Sequence, residues 1–508
     1  MLKIYKILMT MEKTTIILGL LMLVHLSPAG AGPVRGLFPD VRNIGNPALQ
    51  GSYHYDAAEG CWHLKGSGTN MWGSRDEFFF LSEEVSDDCI LSATLHFPRE
   101  GVDPHRKAGV MFRATPDEDS PYVDVAIHGD GLTSMQYRAE KGGETREVTT
   151  QVKSPGFIQL EKSGNTFIMR ISKEHTPLDE VASVTIHLGE KVHAGIFVCS
   201  HNQEVIEEAC FTNVRLDVPA SARGGEEAPP SPSRLEVFDI ESGKREVVYH
   251  TQDHIEAPNW SRNGKFLIYN QEGKLYRFNL KNRKIKEINT GFADANNNDH
   301  GISFDGKMLA ISHHLEEQGD RHSIIYTVPV KGGTPRRVTS LGPSYWHGWS
   351  PDGKWLTYCA ERNGNYDVFK IPVSGGEEVR LTTAEGLDDG PEYSPDGETI
   401  YFNSVRSGSM QIWRMKPDGS DQEQVTNDQF NNWFAHPSPD GKWLLFISYL
   451  PDVAAGSHPR NQRVMLRLMP AEGGVVRTVA FLYGGQGTLN VPSWSPDSRK
   501  FSFVSYTY

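Results

Sequence analysis

The sequence predicts an all-β chain built from two domains. A turn signal recurs at nearly constant spacing through the C-terminal half, whereas the N-terminal half alternates apolar and polar residues between Gly- and Asp-rich turns, without a helical period. A chain of 508 residues is also too long for a single hydrophobic core. We therefore expect a β-sandwich of the jelly-roll type over residues 36–217, followed by a repeat domain over residues 235–508.

The repeat domain is defined by a recurring turn, most often Ser-Pro-Asp-Gly. Successive copies are 42, 47, 44, 44 and 57 residues apart. The Asp residues are predicted to cap their own turns, the Gly residues supply a positive φ, and the β-branched and aromatic runs on either side supply strands. A period near 40 to 45 residues, with four short strands per unit, is typical of a β-propeller. The repeats begin at Trp260, Ile302, Trp349, Tyr393, Pro437 and Trp494.

The number of repeats predicts six blades. Six pairs of A and B strands can be traced, and the last pair ends at the C-terminus. Its missing C and D strands are supplied by LEVFDI and KREVVYH, residues 235–240 and 244–250. One blade is therefore expected to be shared between the two ends of the domain, which closes the ring and leaves no long edge strand exposed.

These repeats resemble the TolB-type propeller family, whose hallmark is the unit xxPxWSPDGxxIxFxS followed by xxIYxxxxxGxxxxxLT. The resemblance covers residues 235–508, and the Ser-Pro-Asp turns at 350–352, 394–396, 438–440 and 495–497 carry it. It implies a six-bladed propeller. It leaves the function open, because this fold hosts periplasmic scaffolds, peptidase accessory domains and some polysaccharide lyases.

The segments KAGVMFRA and PYVDVAIHGDG, residues 107–114 and 121–131, resemble the strands of concanavalin A-like jelly rolls, which are common in secreted glycan-active proteins. These strands contain no Glu pair of a retaining glucanase, so we do not predict a hydrolase. Alternation along the strands gives one sheet a polar face, which is either solvated or a ligand groove. That face carries Arg113, Asp124, His128, Gln136 and Arg138.

The first 31 residues have the three parts of a secretory signal. Lysines precede the apolar run Ile16–Leu26, and Ala29-Gly30-Ala31 forms a cleavage site. The run is too short to span a bilayer. We expect cleavage after Ala31 and a periplasmic or secreted protein without a membrane span.

Composition adds three further expectations. Residues 218–234 are rich in Pro, Gly, Ala and Ser and are predicted to link the two domains. A formal net charge of -13 argues against nucleic acid as a partner. Of the five cysteines, Cys199 and Cys210 could form a bridge across a hairpin; alternatively, the cysteines are small buried side chains.

Functional residues are expected around one mouth of the propeller channel, where loops enter strand A and join strand B to strand C. His300 and His347 replace the usual Pro of the repeat in adjacent blades, so we predict that both imidazoles point at the channel and could bind a divalent metal. Long insertions at residues 449–463 and 481–490 mark the same face as the binding face. The predicted ligand-binding residues are His300, His347, Asn298, Asp299, Tyr345, Trp346, Glu361, Arg362, Asp388, Asp389, Arg406, Asn432, Trp433 and Asn490.

Two functions compete at this mouth. Aromatic faces with amides and charged groups could hold a sugar, which predicts an exported glycan-interacting protein that binds polysaccharide or oligosaccharide and could cleave it as a lyase. The alternative is a periplasmic scaffold resembling TolB, which holds protein partners without enzymatic activity. The sequence contains no G-x-S-x-G, H-E-x-x-H or P-loop motif, so it leaves open whether the protein is an enzyme.

Overall fold

The computed structural model describes residues 37–172, 178–219, 232–317 and 320–506. Within these ranges the chain is all-β, with a two-sheet sandwich followed by a six-bladed propeller, as predicted. The predicted secretory signal and most of the predicted linker lie outside the described residues. No helix in the described ranges is long and apolar enough to cross a membrane.

The sandwich consists of two seven-stranded antiparallel sheets and one short hairpin, β4 (Met71–Trp72) with β5 (Arg75–Asp76). The first sheet has the order β1 (Asp40–Ile44), β6 (Phe78–Val85), β15 (Val192–Cys199), β8 (Lys107–Arg113), β9 (Tyr122–His128), β10 (Thr133–Arg138) and β11 (Arg146–Thr149). The second has the order β14 (Asp179–Thr185), β13 (Thr166–Ser172), β12 (Phe157–Ser163), β7 (Cys89–His96), β16 (Asn202–Asp217), β3 (Cys61–Gly68) and β2 (Ser52–Asp56).

One hydrophobic core lies between the two sheets. Val110 and Phe112 of β8 and Leu91 and Leu160 of the opposite sheet belong to the same buried cluster. The alternation of apolar residues along each strand directs them to this core, because successive side chains of a strand point to opposite faces. The two-sheet sandwich is therefore shown, while its relationship to concanavalin A-like domains stays a prediction.

The polar face of the first sheet is covered rather than solvated. Its five predicted polar residues are each at most 5% exposed. Arg113 and Arg138 both bind Asp76 of the β4–β5 hairpin, at 2.7 Å. The prediction of a solvated face is wrong because this hairpin and its neighbouring loops lie over the sheet.

The five cysteines are all free and buried. Cys199 ends β15 in the first sheet, and Cys210 lies in β16 of the second, so the two consecutive strands do not form a hairpin. The predicted Cys199–Cys210 bridge is therefore wrong, and the alternative of small buried side chains is confirmed.

Five blades of the propeller are four-stranded antiparallel sheets. They are β19 (Ile255–Trp260), β20 (Phe266–Gln271), β21 (Lys274–Asn279) and β22 (Ile285–Ile288); β23 (Asn296–Ile302), β24 (Met308–Glu317), β25 (Asp320–Pro329) and β26 (Arg336–Arg337); β27 (Ser344–Trp349), β28 (Trp355–Arg362), β29 (Asn365–Pro372) and β30 (Val379–Arg380); β31 (Asp388–Tyr393), β32 (Ile400–Ser404), β33 (Gln411–Met415) and β34 (Glu423–Gln424); and β35 (Asn431–Pro437), β36 (Trp443–Tyr449), β37 (Arg460–Pro470) and β38 (Arg477–Gly485).

The sixth blade joins the two ends of the propeller, as predicted. Strand β39 (Lys500–Tyr506) pairs with β17 (Ser233–Asp239), which in turn pairs with β18 (Arg245–Thr251). A single bridge between Trp494 and Phe501 adds the inner edge of this blade. The ring is thereby closed by hydrogen bonds between residues that are far apart in the sequence.

The repeated turns lie at the opposite end of the inner strands from the predicted site. In the third blade, the Ser350 hydroxyl donates to Asp352 Oδ1 over 2.6 Å, and the Lys354 amide donates to the same oxygen over 3.0 Å. The same pair of contacts recurs at Ser303, Ser394, Ser438 and Ser495. The turn-forming role predicted for the repeat Asp residues is confirmed.

Candidate functional site

The inner strands of five blades each carry a β-bulge near one mouth of the channel. A bulge inserts an extra residue and turns the local side chains away from the regular alternation. The bulge of β23 contains Asp299, the bulge of β27 contains His347, and the bulge of β31 begins at Asp389. The bulge of β35 contains Phe434, which has a φ of 54°. The bulges thus aim side chains from neighbouring blades into one cavity.

The cavity has a volume of about 560 Å³ and we call it the channel-mouth cavity. Residues from four consecutive blades line it. The insertion that leads into β37 and the insertion at the end of β38 contribute the rest. The lining residues are Asn297, Asp299, His314, Tyr345, His347, Cys359, Tyr366, Leu387, Asp389, Phe434, Gly456, His458, Gln486 and Asn490.

A buried ion pair forms the centre of the cavity wall. His347 Nε2 lies 3.0 Å from Asp389 Oδ1, and His458 Nε2 lies 4.0 Å from the other carboxylate oxygen. The Gly390 amide also donates to Asp389, over 2.7 Å. Burial alone opposes the charge on both partners, but their mutual attraction prevails: the pKa of Asp389 is lowered and that of His347 is raised. The contact therefore favours the ionised form of both side chains.

Asp299 is the second carboxylate of the cavity and is compensated less completely. Asn297 Nδ2 donates to its Oδ2 over 2.7 Å. Within the described part of the chain, no basic side chain lies within 4 Å of Asp299 in an ion pair. Burial raises the pKa of Asp299 to about 7; nearby His347 lowers it, and the charge of Asp389 raises it further. Asp299 therefore changes its charge near neutral pH.

Aromatic side chains surround these charged groups. The His347 ring stacks on Phe434, with 5.7 Å between ring centroids and 21° between planes. The His458 ring meets Phe434 edge-on at 5.3 Å and Trp433 at 4.4 Å. Tyr345 and Tyr366 line the remaining wall. The cavity thus combines two carboxylates with aromatic faces.

The structure brings together five of the residues that the sequence predicted for ligand binding. Asp299, Tyr345, His347, Asp389 and Asn490 all line the channel-mouth cavity. The other predicted residues are not among its lining residues: His300, Asn298, Trp346, Glu361, Arg362, Asp388, Arg406, Asn432 and Trp433.

His300 is buried inside its blade, with no exposed surface. Its Nε2 lies 3.4 Å from the carbonyl oxygen of Ile268, and burial lowers its pKa to about 4. Among the residues described, His300 and His347 do not belong to any group of three or more closely spaced metal-ligating side chains. The predicted convergence of the two imidazoles on the channel is not observed, because the bulge in β23 turns Asp299, not His300, toward the axis.

The predicted tryptophans are also fully buried. Trp346 packs against Gly301 of the preceding blade, where a Cβ atom would clash with the indole. Trp433 belongs to the core of the fifth blade. Neither indole presents a free face to a ligand.

Four of the remaining predicted residues, Arg362, Asp388, Arg406 and Asn432, bind each other or neighbouring residues of the blades. Arg362 Nε lies 2.7 Å from Glu378, and Arg406 Nη2 lies 2.7 Å from Asp388. The amide of Asn432 donates to Gln411 and accepts from Ser448. These polar contacts hold strands and loops together around the mouth.

Several lining residues were not predicted from the sequence. Cys359 and Tyr366 lie on the second and third strands of their blade, Phe434 follows a residue that was predicted, and Gln486 and His458 lie in the two insertions. The insertions were predicted to mark the binding face. His458 is the histidine of the first insertion, and its position there could have identified it as a candidate.

Comparison with known proteins agrees with this architecture. The TolB β-propeller domain family matches residues 346–456. The uncharacterized protein Atu1656 of Agrobacterium fabrum is 50% identical over 275 residues, which make up 54% of this chain and 92% of that protein. A solved structure of a TolB-like protein from Agrobacterium tumefaciens is 49% identical, with a TM-score of 0.53, over 55% of this chain and 100% of that one. TolB from Acinetobacter baumannii is 15% identical, with a TM-score of 0.41, over 64% of this chain and 79% of that one.

The fold and the channel-mouth cavity define a six-bladed propeller with a bulged, carboxylate-bearing mouth. Given the extent and identity of these matches, the chain belongs to the TolB-like β-propeller family.

Proposed function

We propose that this protein is an exported, TolB-like interaction protein of the cell envelope, and that its channel-mouth cavity binds a segment of a partner protein. The family relationship supports a role in protein interaction. The single observation that carries the proposal is the cavity itself, which buries two carboxylates; among the described residues, only Asp389 of the two is paired with a basic side chain.

The charge of the cavity favours a basic group on the partner. Asp389 is compensated by His347, whereas Asp299 receives only an amide hydrogen bond. A Lys or Arg side chain entering the cavity would give Asp299 its counter-charge. Tyr345 and Tyr366 would contact the same group, because aromatic faces attract cations. We therefore expect an extended peptide segment anchored by one basic residue.

Glycan binding is the second candidate function. Tyr345 and Tyr366 could face a sugar ring, and Asn297 and Asn490 could bind its hydroxyl groups. This candidate is weaker than it was from sequence alone, because Trp346 and Trp433 offer no exposed face. Lyase activity would belong to this second candidate.

Two screens on the same protein separate the candidates. A peptide-display library and a glycan array are probed in parallel, and acidic and neutral polysaccharides are assayed for depolymerisation. The peptide proposal expects enrichment of sequences that share a Lys or Arg at one position. Binding of glycans without any enriched peptide, or release of unsaturated sugar products, would support the second candidate instead.

Two histidine variants locate the binding site. His347→Ala is expected to raise the affinity for the selected peptide by about 10-fold, because the cavity loses the positive charge that neutralises Asp389 and competes with the basic anchor. His300→Ala is the matched control: it should lower the melting temperature but leave peptide affinity unchanged, since His300 does not line the cavity. An unchanged peptide affinity in His347→Ala would move the site elsewhere.

A further inference from the structure

A group of metal-ligating side chains lies in the sandwich, on strands β3 and β16. The register of these neighbouring strands places Cys210 directly opposite His63. Cys61 stands two residues before His63 on β3, so both side chains point to the same face of the sheet. The topology therefore collects two thiols and one imidazole on one face.

The ligand atoms of these three residues all lie within 4.8 Å of one another. His63 Nδ1 is 3.3 Å from Cys210 Sγ and 3.1 Å from Glu208 Oε1. Glu208 is two residues from Cys210 on β16 and shares its face. Both cysteines are 4% exposed, whereas the His63 side chain is 29% exposed. An ion from solvent can thus reach the cluster past the imidazole.

The donor set suits a thiophilic ion. Zn²⁺ is held tetrahedrally, with Zn–S distances of about 2.3 Å and Zn–N distances of about 2.0 Å, so its ligands lie roughly 3.5 Å apart. His63 Nδ1 and Cys210 Sγ already lie close to this spacing, at 3.3 Å, and the other pairs, all within 4.8 Å, have to close by at most about 1.3 Å. Sulfur ligands disfavour Ca²⁺ and Mg²⁺, which prefer oxygen donors.

A disulfide is the competing fate of the two thiols, and the register disfavours it. Cys61 and Cys210 are diagonal neighbours rather than directly opposite, and Cα atoms of such neighbours are about 7 to 8 Å apart. Bridged cysteines usually have Cα atoms about 4.4 to 6.8 Å apart. A metal ion spans the longer gap because it adds two bonds between the sulfur atoms.

We propose that Cys61, His63 and Cys210 bind Zn²⁺, and that the carboxylate of Glu208, which contacts His63 but lies outside the group of three ligand atoms, rotates in as the fourth ligand. This site is separate from the channel-mouth cavity and goes beyond the proposed function. The ion would join β3 to β16 next to the edge strand β2.

Cobalt titration tests the site. The full chain is reduced, stripped of metal with a chelator and titrated with Co²⁺ without oxygen. We expect one Co²⁺ per chain, with a thiolate-to-cobalt charge-transfer band and the intense visible bands of a tetrahedral site, both removed by stoichiometric Zn²⁺. Absence of the charge-transfer band in the reduced wild-type protein would overturn the proposal.

Variants assign the ligands. Cys61→Ser and Cys210→Ser should each weaken the charge-transfer band, and the double variant should abolish it. His63→Gln and Glu208→Gln, which keep both thiols, should each weaken Zn²⁺ binding by about 10-fold or more. Cys199→Ser is the matched control, because Cys199 is a buried thiol of the same sandwich whose Sγ contacts only backbone oxygens.

The cysteine variants could fail to fold, so the wild-type spectrum and the two variants with intact thiols decide the question independently. A charge-transfer band that persists in the double cysteine variant would contradict the assignment. So would a Cys61–Cys210 disulfide in the peptide map of the exported protein, if the reduced protein then binds no Zn²⁺.

Discussion

Each domain buries a cluster of charged side chains, and the two clusters differ in how their charges are compensated. In the sandwich, Asp76 lies between Arg113 and Arg138, and all three side chains are 0% exposed. In the propeller, His347 compensates Asp389, but Asp299 relies on an amide. Buried charge that is paired within the protein holds elements of the fold together, whereas incompletely compensated charge beside a cavity is available to a ligand.

The largest expected effect is on the sandwich cluster. Asp76→Ala leaves two buried guanidinium groups without their carboxylate and should lower the free energy of unfolding by about 3 to 5 kcal/mol. Urea unfolding measures the change. Asp117→Ala is the control, because both side chains of its ion pair with Lys141 are more than half exposed, so solvent screens the pair and its loss should change stability little. If the two substitutions lowered the free energy of unfolding equally, the buried cluster would have no special role in stability.

The propeller cluster should behave in the opposite way when Asp299 is neutralised. Its pKa is raised from 3.8 to about 7, so the folded chain keeps a proton that the unfolded chain releases, and stability from this group falls as pH rises from 4 to 7. Asparagine at position 299 has no ionisable group, so the variant does not lose this stability as the pH rises. We expect Asp299→Asn to be more stable than wild type by about 4 kcal/mol at pH 8 and about equally stable near pH 4. Urea unfolding at both pH values checks this, and a destabilised variant at pH 8 would show that the carboxylate is compensated.

The smallest effect is a pH dependence of binding. Only the ionised form of Asp299 attracts a basic group, so the affinity of a selected peptide that lacks histidine should fall about 10-fold from pH 8 to pH 6. Calorimetric titration at the two pH values measures it. Asp299→Asn should bind more weakly and lose most of this dependence. An affinity that rises toward pH 6 would exclude the proposed charge complementarity.

The fold could be predicted from the sequence because its signals are local and repeated. The Ser-Pro-Asp-Gly turns give the spacing of the blades. The last repeat lacks its C and D strands, and the segments LEVFDI and KREVVYH near the start of the domain supply them, which indicates the shared blade. The mouth that contains the cavity could be predicted too, since the long insertions at residues 449–463 and 481–490 both contribute residues to it. These features depend on turn chemistry and counting, not on distant contacts.

The individual site residues depend on geometry that the sequence does not display. In β23 the bulge places the three residues between Asn296 and His300 opposite the single residue between Ile311 and His313 of β24, so regular alternation does not tell which of them face the channel. His300 and Asp299 are neighbours in the sequence, yet the bulge sends only Asp299 into the cavity. Asp76 shows the same limit: it reaches Arg113 and Arg138 from a separate hairpin, which alternation within the sheet cannot indicate.

A double-mutant cycle between cavity and peptide tests the central claim most directly. The affinities of wild type and Asp299→Asn are measured at pH 8 for a selected peptide and for the same peptide with its basic anchor replaced by Ala. If the anchor binds beside the carboxylates, the coupling energy between the two changes should be at least about 1.5 kcal/mol. A coupling energy near zero would contradict the account, because the peptide's basic residue would then bind outside the channel-mouth cavity.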